Sequence, residues 1–367
     1  MSIKVGIFFG GPSREREISF AGGRTVYDNL NKSLFEAVPI FVDSYRNWYL
    51  LDWEYLYKGS IRDFFPPVSE LPDSPNGFQV YQESLGPLSE PDFTRLAGPI
   101  GRRISKYELN ELIDVAFLAL HGVYGEDGTL QAELDRLGMP YTGSGVRASQ
   151  VGMDKALQKE LMAEKGFPTP PIEVIQRDDI LMGDLAALYE KSSATIGWPL
   201  VIRPANQGSS IGVSIIEESE GLAGFEAAIN RAFFREILVL AEWNQRSAYD
   251  QLDYIRFVSD IRDGLGYPLD VIHQEHRLTI YHPEDLLAYL QEKVGADPQG
   301  IITLEGHQQE ERVILEGFIR GKEFSTIVMR TEDGGCVALP PTEIVKGGEV
   351  FDYRSKYLPG LSRKITP

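Results

Sequence analysis

The stretch at residues 199–213, PLVIRPANQGSSIGV, constrains the fold of this chain more than any other. An apolar run ends at the cation Arg203, and a polar turn then passes through Gly208, Ser209 and Ser210 before the chain becomes apolar again. The pattern predicts a strand, a phosphate-sized loop and a second strand, because glycine allows close approach to an anion while N–H groups, hydroxyls and a guanidinium can bind it. For this stretch alone, a serine-rich hairpin turn remains an alternative.

Length and charge limit the classes of protein to which the chain can belong. Its 367 residues exceed one ordinary core, and a prior of roughly 150 residues per domain predicts two or three domains. Asp and Glu outnumber Lys and Arg by 54 to 36, for a formal net charge of -18. This balance argues against sequence-independent binding of nucleic acid, and an anionic ligand would need a locally basic pocket.

The cysteine count and the apolar runs bear on the compartment. Cys336 is the only cysteine, which excludes an internal disulfide and agrees with a reducing compartment. No segment approaches the ~18 consecutive apolar residues of a membrane helix, and the short apolar run at the N-terminus is typical of a first strand rather than of a signal peptide. We expect a cytoplasmic protein that does not bind membranes.

The N-terminus has the pattern of an α/β unit. Residues 3–9 form an apolar run that predicts a buried parallel strand, a Gly-Gly-Pro turn follows, and residues 18–30 carry apolar side chains at helical spacing. In such units, ligands bind at the carboxyl end of the strand, where Glu15 lies. The alternative for Glu15 is a charge in the first turn of a helix, where it favours the helix dipole.

A second unit repeats this order. Residues 114–120 predict a buried strand that ends in a glycine-rich turn beginning at His121, and residues 130–137 predict the next helix. His121 can be a ligand contact or a structural histidine. We therefore expect an α/β N-terminal domain with a parallel sheet, whereas residues 44–103 look irregular and indicate no chemistry.

The second half of the chain has a different pattern. Residues 148–166 predict one helix containing Lys155, for which a solvated surface position is the alternative, and a proline cluster then puts a domain boundary between about 145 and 170. Short strands and turns beyond residue 312 predict a largely antiparallel α+β domain. Residues 243–311 do not fit a compact unit and are interpreted as an insertion; its histidines lack a clear metal-ligand spacing, so we expect no metal site there.

Seven segments occur in one order along the chain: GGPSREREIS, ALHGVYGEDGTLQAELDRLGMPYTGSG, MDK, VIRPANQGSSIGV, EGFIRGKEF, LPPTEI and FDYRSKY. Together they resemble the D-alanine:D-alanine ligases of the ATP-grasp superfamily. The resemblance implies an N-terminal α/β domain followed by an α+β ATP-grasp domain that is incomplete at its C-terminal end. The corresponding boundaries are 1–145, 146–242, the insertion 243–311, and 312–367.

The resemblance also implies a reaction and a set of site residues. ATP would phosphorylate one D-alanine, and the amino group of a second would attack the acyl phosphate to give a precursor of peptidoglycan, with Mg²⁺ as cofactor and a homodimer as the assembly. The catalytic residues would be Glu15, Ser209, Lys356 and Tyr357: Ser209 would join Glu15 and Tyr357 in a hydrogen-bonded triad that closes the loop over the substrates, and Lys356 would reach the transferred phosphate or the second substrate. The first D-alanine would contact Glu15 and His121. ATP would contact Lys155, Arg203, Ser210, Glu316, Phe318, Ile319 and Glu323.

Two departures from the family pattern leave alternatives open. Arg203 occupies the place of the usual lysine, and an arginine head is bulkier and shaped differently. The family's Mg²⁺-binding Asp and Glu-x-Asn segments would follow Pro367, so we expect no metal ligands in this chain and no turnover by it as given. The alternatives are a non-catalytic binding or scaffold protein derived from this fold, and an ATP-grasp ligase for another amino acid.

Overall fold

The N-terminal part of the chain folds around one buried strand, β1 (Ile3–Gly10). The computed structural model of the protein describes residues 2–306, 309–346 and 362–366. The elements that follow β1 are α1 (Arg16–Asn29), β2 (Phe35–Val42), β3 (Trp48–Leu51), α2 (Glu90–Ala97), β4 (Gly101–Ile104), α3 (Leu109–Leu112), β5 (Val115–Leu118) and α4 (Thr129–Leu137). The strands and helices predicted on either side of Glu15 and His121 are confirmed.

The first sheet has five strands in the order β4-β3-β2-β1-β5. β1 pairs in parallel with β2 and β5, so that the carboxyl ends of β1 and β5 lie at one edge. Successive side chains of a strand point to opposite faces, and accordingly Ile7 and Phe9 join one buried cluster while Phe8 joins the other. The expectation that residues 44–103 are irregular was wrong in part, because β3 and β4 extend this sheet as antiparallel strands.

Two helices connect this sheet to the rest of the chain: α5 (Val146–Met153) and α6 (Lys155–Glu164). The single helix predicted across this region was wrong, because the chain breaks at Asp154. Asp154 has extended backbone angles, and its carboxylate accepts a 3.0 Å hydrogen bond from the Leu157 N–H as an N-cap. The break makes Lys155 the first residue of α6, where its N–H donates to the Ala205 carbonyl at 3.1 Å.

The middle of the chain builds two antiparallel sheets. Its elements are β6 (Ile172–Gln176), α7 (Arg177–Met182), α8 (Leu185–Thr195), β7 (Leu200–Pro204), β8 (Ser214–Ile216), α9 (Gly221–Ala232), β9 (Arg235–Val239), α10 (Leu240–Gln245), α11 (Ala248–Ser259), β10 (Leu269–His273), β11 (His276–Ile280), α12 (Pro283–Ala296), β12 (Ile301–Gly306) and β13 (Arg312–Gly317). One sheet has the order β6-β13-β7-β8 and the other β11-β10-β12-β9. The predicted strand before the phosphate-sized loop is therefore β7, and β8 follows the loop.

The sheet that contains β7 has its own core beneath α8 and α9. Leu200 and Ile202 alternate along β7 and are fully buried, and Phe225 and Ile229 lie one turn apart on α9 and pack against them. This alternation is the signature of a strand with one covered face. It holds the end of β7, and with it Arg203, in a defined place.

Residues 235–306, here called the accessory segment, contain the second sheet and the helices α10, α11 and α12. Their core contains Trp243, Leu286 and Leu304, all fully buried. Outside the sheet, Glu284 accepts hydrogen bonds from Ser74 Oγ at 2.9 Å and from Asn76 Nδ2 at 2.7 Å. Part of the irregular stretch after β3 thus serves as a docking surface for the accessory segment.

Two of the three histidines of the accessory segment, His273 and His282, have structural partners. His273 Nε2 lies 3.1 Å from Asp297 Oδ2, and His282 Nδ1 accepts a hydrogen bond from the Glu284 N–H at the start of α12. These partners account for the two side chains without a metal ion.

The last described part of the chain consists of short strands. They are β14 (Glu323–Ser325), β15 (Val328–Arg330), β16 (Cys336–Ala338), β17 (Thr342–Lys346) and β18 (Ser362–Ile365). β14, β17 and β18 form one small sheet, and β15 pairs with β16 in a hairpin. Two of the predicted catalytic residues, Lys356 and Tyr357, lie outside the described residues. Across the described ranges, the helices are too short or too polar to cross a membrane.

Candidate active site

Glu15 lies at the carboxyl end of β1, immediately before α1. The turn that leads to it needs glycine, since Gly11 has φ +92° and a Cβ there would lie 2.8 Å from a methyl carbon of Leu120. Glu15 is only 4% exposed, and its N–H donates to Ser13 Oγ at 3.1 Å. The tight turn thus holds a carboxylate at the edge where ligands of α/β sheets bind.

The loop between β7 and β8 reaches this carboxylate. Ser209 and Ser210 have φ values of 50° and 59°, and the Ser209 hydroxyl donates a hydrogen bond to Glu15 Oε1. A Cβ at Gly208 would overlap the Glu15 carboxylate, so that only glycine fits this approach. A contact across 194 residues of sequence therefore joins the loop to the N-terminal turn.

Glu310 holds the start of the same loop. This carboxylate is 3% exposed and accepts hydrogen bonds from the Asn206 N–H at 3.2 Å and from Gln207 Nε2 at 2.7 Å. Burial raises the pKa of Glu310, and the hydrogen bonds from Gln207 and Asn206 oppose that rise. Lys155 Nζ donates to the Gln207 carbonyl at 2.6 Å, which brings an ammonium to the loop from the start of α6.

His121 lies beside this group on the turn after β5. Its Nδ1 is 3.7 Å from Glu126 Oε1, and the same carboxylate accepts a 2.6 Å hydrogen bond from the Gly122 N–H. The interaction with Glu126 raises the pKa of His121 above 6.5, although burial opposes it and Glu15 adds to it. Burial alone would raise the pKa of Glu126, but the interaction with His121 and the Gly122 N–H lowers it below 4.5.

We expect the His121–Glu126 pair to contribute most to stability between pH 4.5 and the raised pKa of His121. The protonated His121 stabilises the fold below 6.5 and this contribution is lost as pH rises through its folded-state pKa; the ionised Glu126 contributes above 4.5 and is lost as pH falls. An NMR titration should give a His121 pKa above 6.5, and Glu126→Gln should return it toward 6.5. A pKa of His121 that is unchanged by Glu126→Gln would contradict this assignment.

A second charged group lies on the face of β7 and β13. Glu316 is 7% exposed and bridges two cations, Arg203 Nη2 at 2.6 Å and Lys159 Nζ at 2.9 Å. Lys159 is four residues after Lys155 on α6, so both ammonium groups project from one side of that helix. Arg312 Nη2 binds Asp154 Oδ2 at 2.6 Å nearby. The structure thus brings Arg203 and Glu316 into direct contact.

Three further residues with predicted ATP contacts follow Glu316. The Phe318 N–H donates to the Pro199 carbonyl at 3.1 Å, which continues the β13–β7 pairing by one residue. Ile319 is 71% exposed, and Glu323 is the first residue of β14. These three residues follow Glu316 in sequence, just after the end of β13.

Sequence reasoning missed Glu126, Lys159 and Glu310, which hold the predicted residues in place. Lys159 could have been found from its four-residue spacing to Lys155, and Glu126 from its position in the glycine-rich turn after His121. Glu310 carries no local signal beyond an acidic pair before β13. Its role depends on contacts about a hundred residues away in sequence.

A cavity of about 420 Å³ opens beside Glu126, between the turn after β5, helix α5 and the loop that follows β7. Its wall includes Leu120, Glu126, Met153, Lys155 and Gly208, which combine apolar surface with both signs of charge. Such a mixture suits a small zwitterion beside an anionic group. Among residues 2–306, 309–346 and 362–366, no three His, Cys, Asp or Glu side chains are grouped to hold a metal ion.

The fold and the loop contact define the class: this is an ATP-grasp fold with an α/β N-terminal domain. A solved structure of the same fold is that of the VanG D-Ala:D-Ser ligase from Enterococcus faecalis, with a TM-score of 0.54 and 21% identity over 100% of this chain and 76% of that one. Family models described as D-ala D-ala ligase N-terminus and D-ala D-ala ligase C-terminus match residues 4–144 and 161–249. The chain belongs to the D-alanine–D-alanine ligase family.

Curated relatives support this membership. A D-alanine–D-alanine ligase from Pelotomaculum thermopropionicum is 29% identical over 367 residues, which are 100% of this chain and 72% of the relative. One from Caldicellulosiruptor bescii is 32% identical over 244 residues, 65% of this chain and 59% of the relative. The chain thus spans between about three fifths and three quarters of the length of these relatives.

Proposed function

We propose that these residues carry the nucleotide site and the first substrate site of an enzyme that joins two D-alanines into D-alanyl-D-alanine for peptidoglycan precursor synthesis. The observation that carries the proposal is the hydrogen bond from Ser209 to Glu15. It brings a loop suited to phosphates onto a buried carboxylate suited to an ammonium group, and the ligation needs both within a few ångströms of each other.

The reaction has two steps. A carboxylate oxygen of the first D-alanine attacks the γ-phosphorus of ATP, which forms an acyl phosphate and releases ADP. The amino nitrogen of the second D-alanine then attacks the acyl carbon, the bond from carbon to the phosphate oxygen breaks, and inorganic phosphate leaves while the nitrogen loses a proton. Ligases of this family use ATP and Mg²⁺. The residues present here would bind, orient and exclude water from the acyl phosphate.

We assign the first D-alanine to Glu15 and His121. The Glu15 carboxylate would accept the substrate ammonium, since it is already held by Ser209 and is buried where an opposite charge is favoured. His121, whose pKa is raised by Glu126, would face the substrate carboxylate, and its positive charge when protonated would bind that carboxylate.

We assign the nucleotide to the cations and the end of β13. The phosphates would contact Lys155, Arg203 and Ser210, the adenine amino group would bind Glu316 with ring-edge contacts near Phe318 and Ile319, and Glu323 would hold the ribose. Arg203 and Glu316 bind each other here, so nucleotide binding would have to share or replace that ion pair. The proposal keeps Lys356 and Tyr357, outside the described residues, as members of the closing loop.

The organisation of the whole protein is also a proposal. The divisions at residues 145 and 311 are supported by the separate sheets on either side of these positions, whereas β9 (Arg235–Val239) lies before residue 242 but belongs to the same sheet as β10 and β12 of the proposed insertion 243–311. A homodimer and a cytoplasmic location follow from the family alone.

The test is a ligation assay beside a binding assay. ADP and D-alanine are titrated calorimetrically into the chain, and phosphate release with ATP, Mg²⁺ and D-alanine is followed together with mass spectrometry of the product. We expect this chain to bind ADP, and D-alanyl-D-alanine to form once the family's Mg²⁺-binding Asp and Glu-x-Asn segments are supplied. ADP binding without phosphate release by the extended chain would favour a non-catalytic binding protein, and release with a different amino acid would favour a different substrate. Absence of ADP binding would overturn the proposal.

A further inference from the structure

The accessory segment contacts the N-terminal turn through Arg14, the residue next to Glu15. The Arg14 guanidinium donates to the carbonyls of Ile261 at 2.7 Å, of Gly264 at 3.1 Å and of Leu265 at 3.0 Å. These carbonyls follow the C-terminal end of α11, where the helix dipole favours a cation. Hydrogen bonds from a charged donor are stronger than neutral ones.

Arg14 is deeply placed. It is 3% exposed, and its guanidinium carbon lies 3.7 Å from the centroid of the Phe234 ring. Burial lowers the pKa of Arg14 to about 9, and the carboxylates of Glu310 and Asp260 counteract that effect, so the side chain stays cationic at neutral pH. The guanidinium group is stacked on the Phe234 ring and donates to three carbonyls, so the Arg14 side chain is held in one conformation.

The loop between β7 and β8 also contacts the accessory segment. Ile211, two residues after Ser209, is 4% exposed and belongs to the same buried cluster as Phe234 and Leu265. A Cβ at Gly212 would lie 3.3 Å from the Phe234 ring. The Phe234 ring therefore contacts Arg14 on one side and the loop on the other.

We propose that the accessory segment is a built-in clamp that holds the contact between Glu15 and Ser209 closed, with Arg14 and Ile211 as its two attachments. Each loop is a short turn outside the regular helices and strands, a kind of element that opens at low free energy unless it is attached to the rest of the fold. Fastening both loops to one sheet removes that freedom, so the site is organised before a ligand arrives.

In this arrangement Arg14 is a positioning residue. It acts on Glu15 through the one peptide bond between them, and its side chain points into the accessory segment rather than toward the cavity. The inference rests on the proposed function only in taking the closed loop to be the form that binds substrates. The clamp itself is a property of the free chain and can be measured without any ligand.

The test is hydrogen exchange of the chain without ligand. Arg14→Met keeps much of the side-chain volume but leaves the three carbonyls without their donor. We expect exchange to become about tenfold faster in peptides covering residues 11–16 and 206–213, because hydrogen bonds to a charged group are lost. Exchange in β1 and β7 should stay slow. Arg136→Met, at an exposed arginine of α4, is the matched control and should change neither peptide.

A second variant covers the case in which Arg14→Met unfolds the chain. Ile211→Ala loosens the other attachment and should speed exchange at residues 11–16 as well as at 206–213, although it touches only the loop. Arg14→Lys keeps the charge without the fork and should lie between wild type and Arg14→Met. Faster exchange confined to residues 258–266 in Arg14→Met, or to residues 206–213 in Ile211→Ala, would overturn the clamp. Because no nucleotide or D-alanine is added, these outcomes are independent of the ligation assay.

Discussion

Glu305→Gln is expected to lower the free energy of unfolding by about 3–5 kcal/mol, the cost of leaving buried charges without their partner. Glu305 is 3% exposed on β12 and lies 2.8 Å from Arg177, 2.6 Å from Arg277 and 3.7 Å from Arg235. Arg177 begins α7 beside the sheet of β7, so this carboxylate joins the accessory segment to that sheet. Glutamine keeps the shape of the Glu305 side chain but removes the negative charge that pairs with the three guanidinium groups.

The measurement is chemical denaturation followed by circular dichroism. Glu242→Gln is the matched control, since Glu242 is an exposed glutamate on α10 of the same segment, and surface substitutions usually stay within about 0.5 kcal/mol. If Glu305→Gln were as stable as this control, the cluster of arginines would not depend on the carboxylate. A loss confined to the accessory segment would show as a separate early transition.

In the chain extended by the family's Mg²⁺-binding segments, Gly208→Ala is expected to lower the rate of D-alanine-dependent phosphate release by about 100-fold, because a displacement of about 1 Å in a reacting group costs that much. The added methyl group would overlap the Glu15 carboxylate and push it away from Ser209. The fold should survive, because the loop lies at the surface of the cavity and not within either sheet.

The assay compares the rate per folded molecule, with thermal unfolding as a check on the fold. Gly295→Ala is the control, since a Cβ at this exposed position of α12 meets no atom within 4 Å. A rate within twofold of wild type for Gly208→Ala would show that the close approach of the loop to Glu15 is not needed. Glu15→Gln should fall in parallel with Gly208→Ala if both act on the same contact.

Local patterns predicted the elements that position the site. The apolar run of β1 and the glycine turn after it put Glu15 at a strand end, and the same order after β5 put His121 at the neighbouring strand end. Both inferences depend on residues within about ten positions of each other. The break before Lys155 was missed because Asp154 caps a helix in the middle of a continuous helical pattern.

Contacts between distant segments could not be predicted in this way. Glu310 accepts a hydrogen bond from Asn206, about a hundred residues earlier in the sequence, at the start of the loop between β7 and β8. The carbonyls that accept from Arg14 lie about 250 residues after it. Neither side chain differs in sequence from an ordinary surface charge. Their burial depends on how the accessory segment packs, which no local periodicity encodes.

The sequence by itself determined that this chain contains a glycine- and serine-rich loop after a buried strand, an acidic residue at the end of the first strand, and the ordered motifs of its family. It did so because these features reflect backbone preferences and short-range spacing. The family resemblance already implied that Ser209 would bond to Glu15, and the structure contains that hydrogen bond. Only the tertiary structure decided that Arg14 and Ile211 fasten both loops to one extra sheet. Those contacts arise from burying apolar surface and pairing charges between segments far apart in the chain, and such energies exist only once the fold is formed.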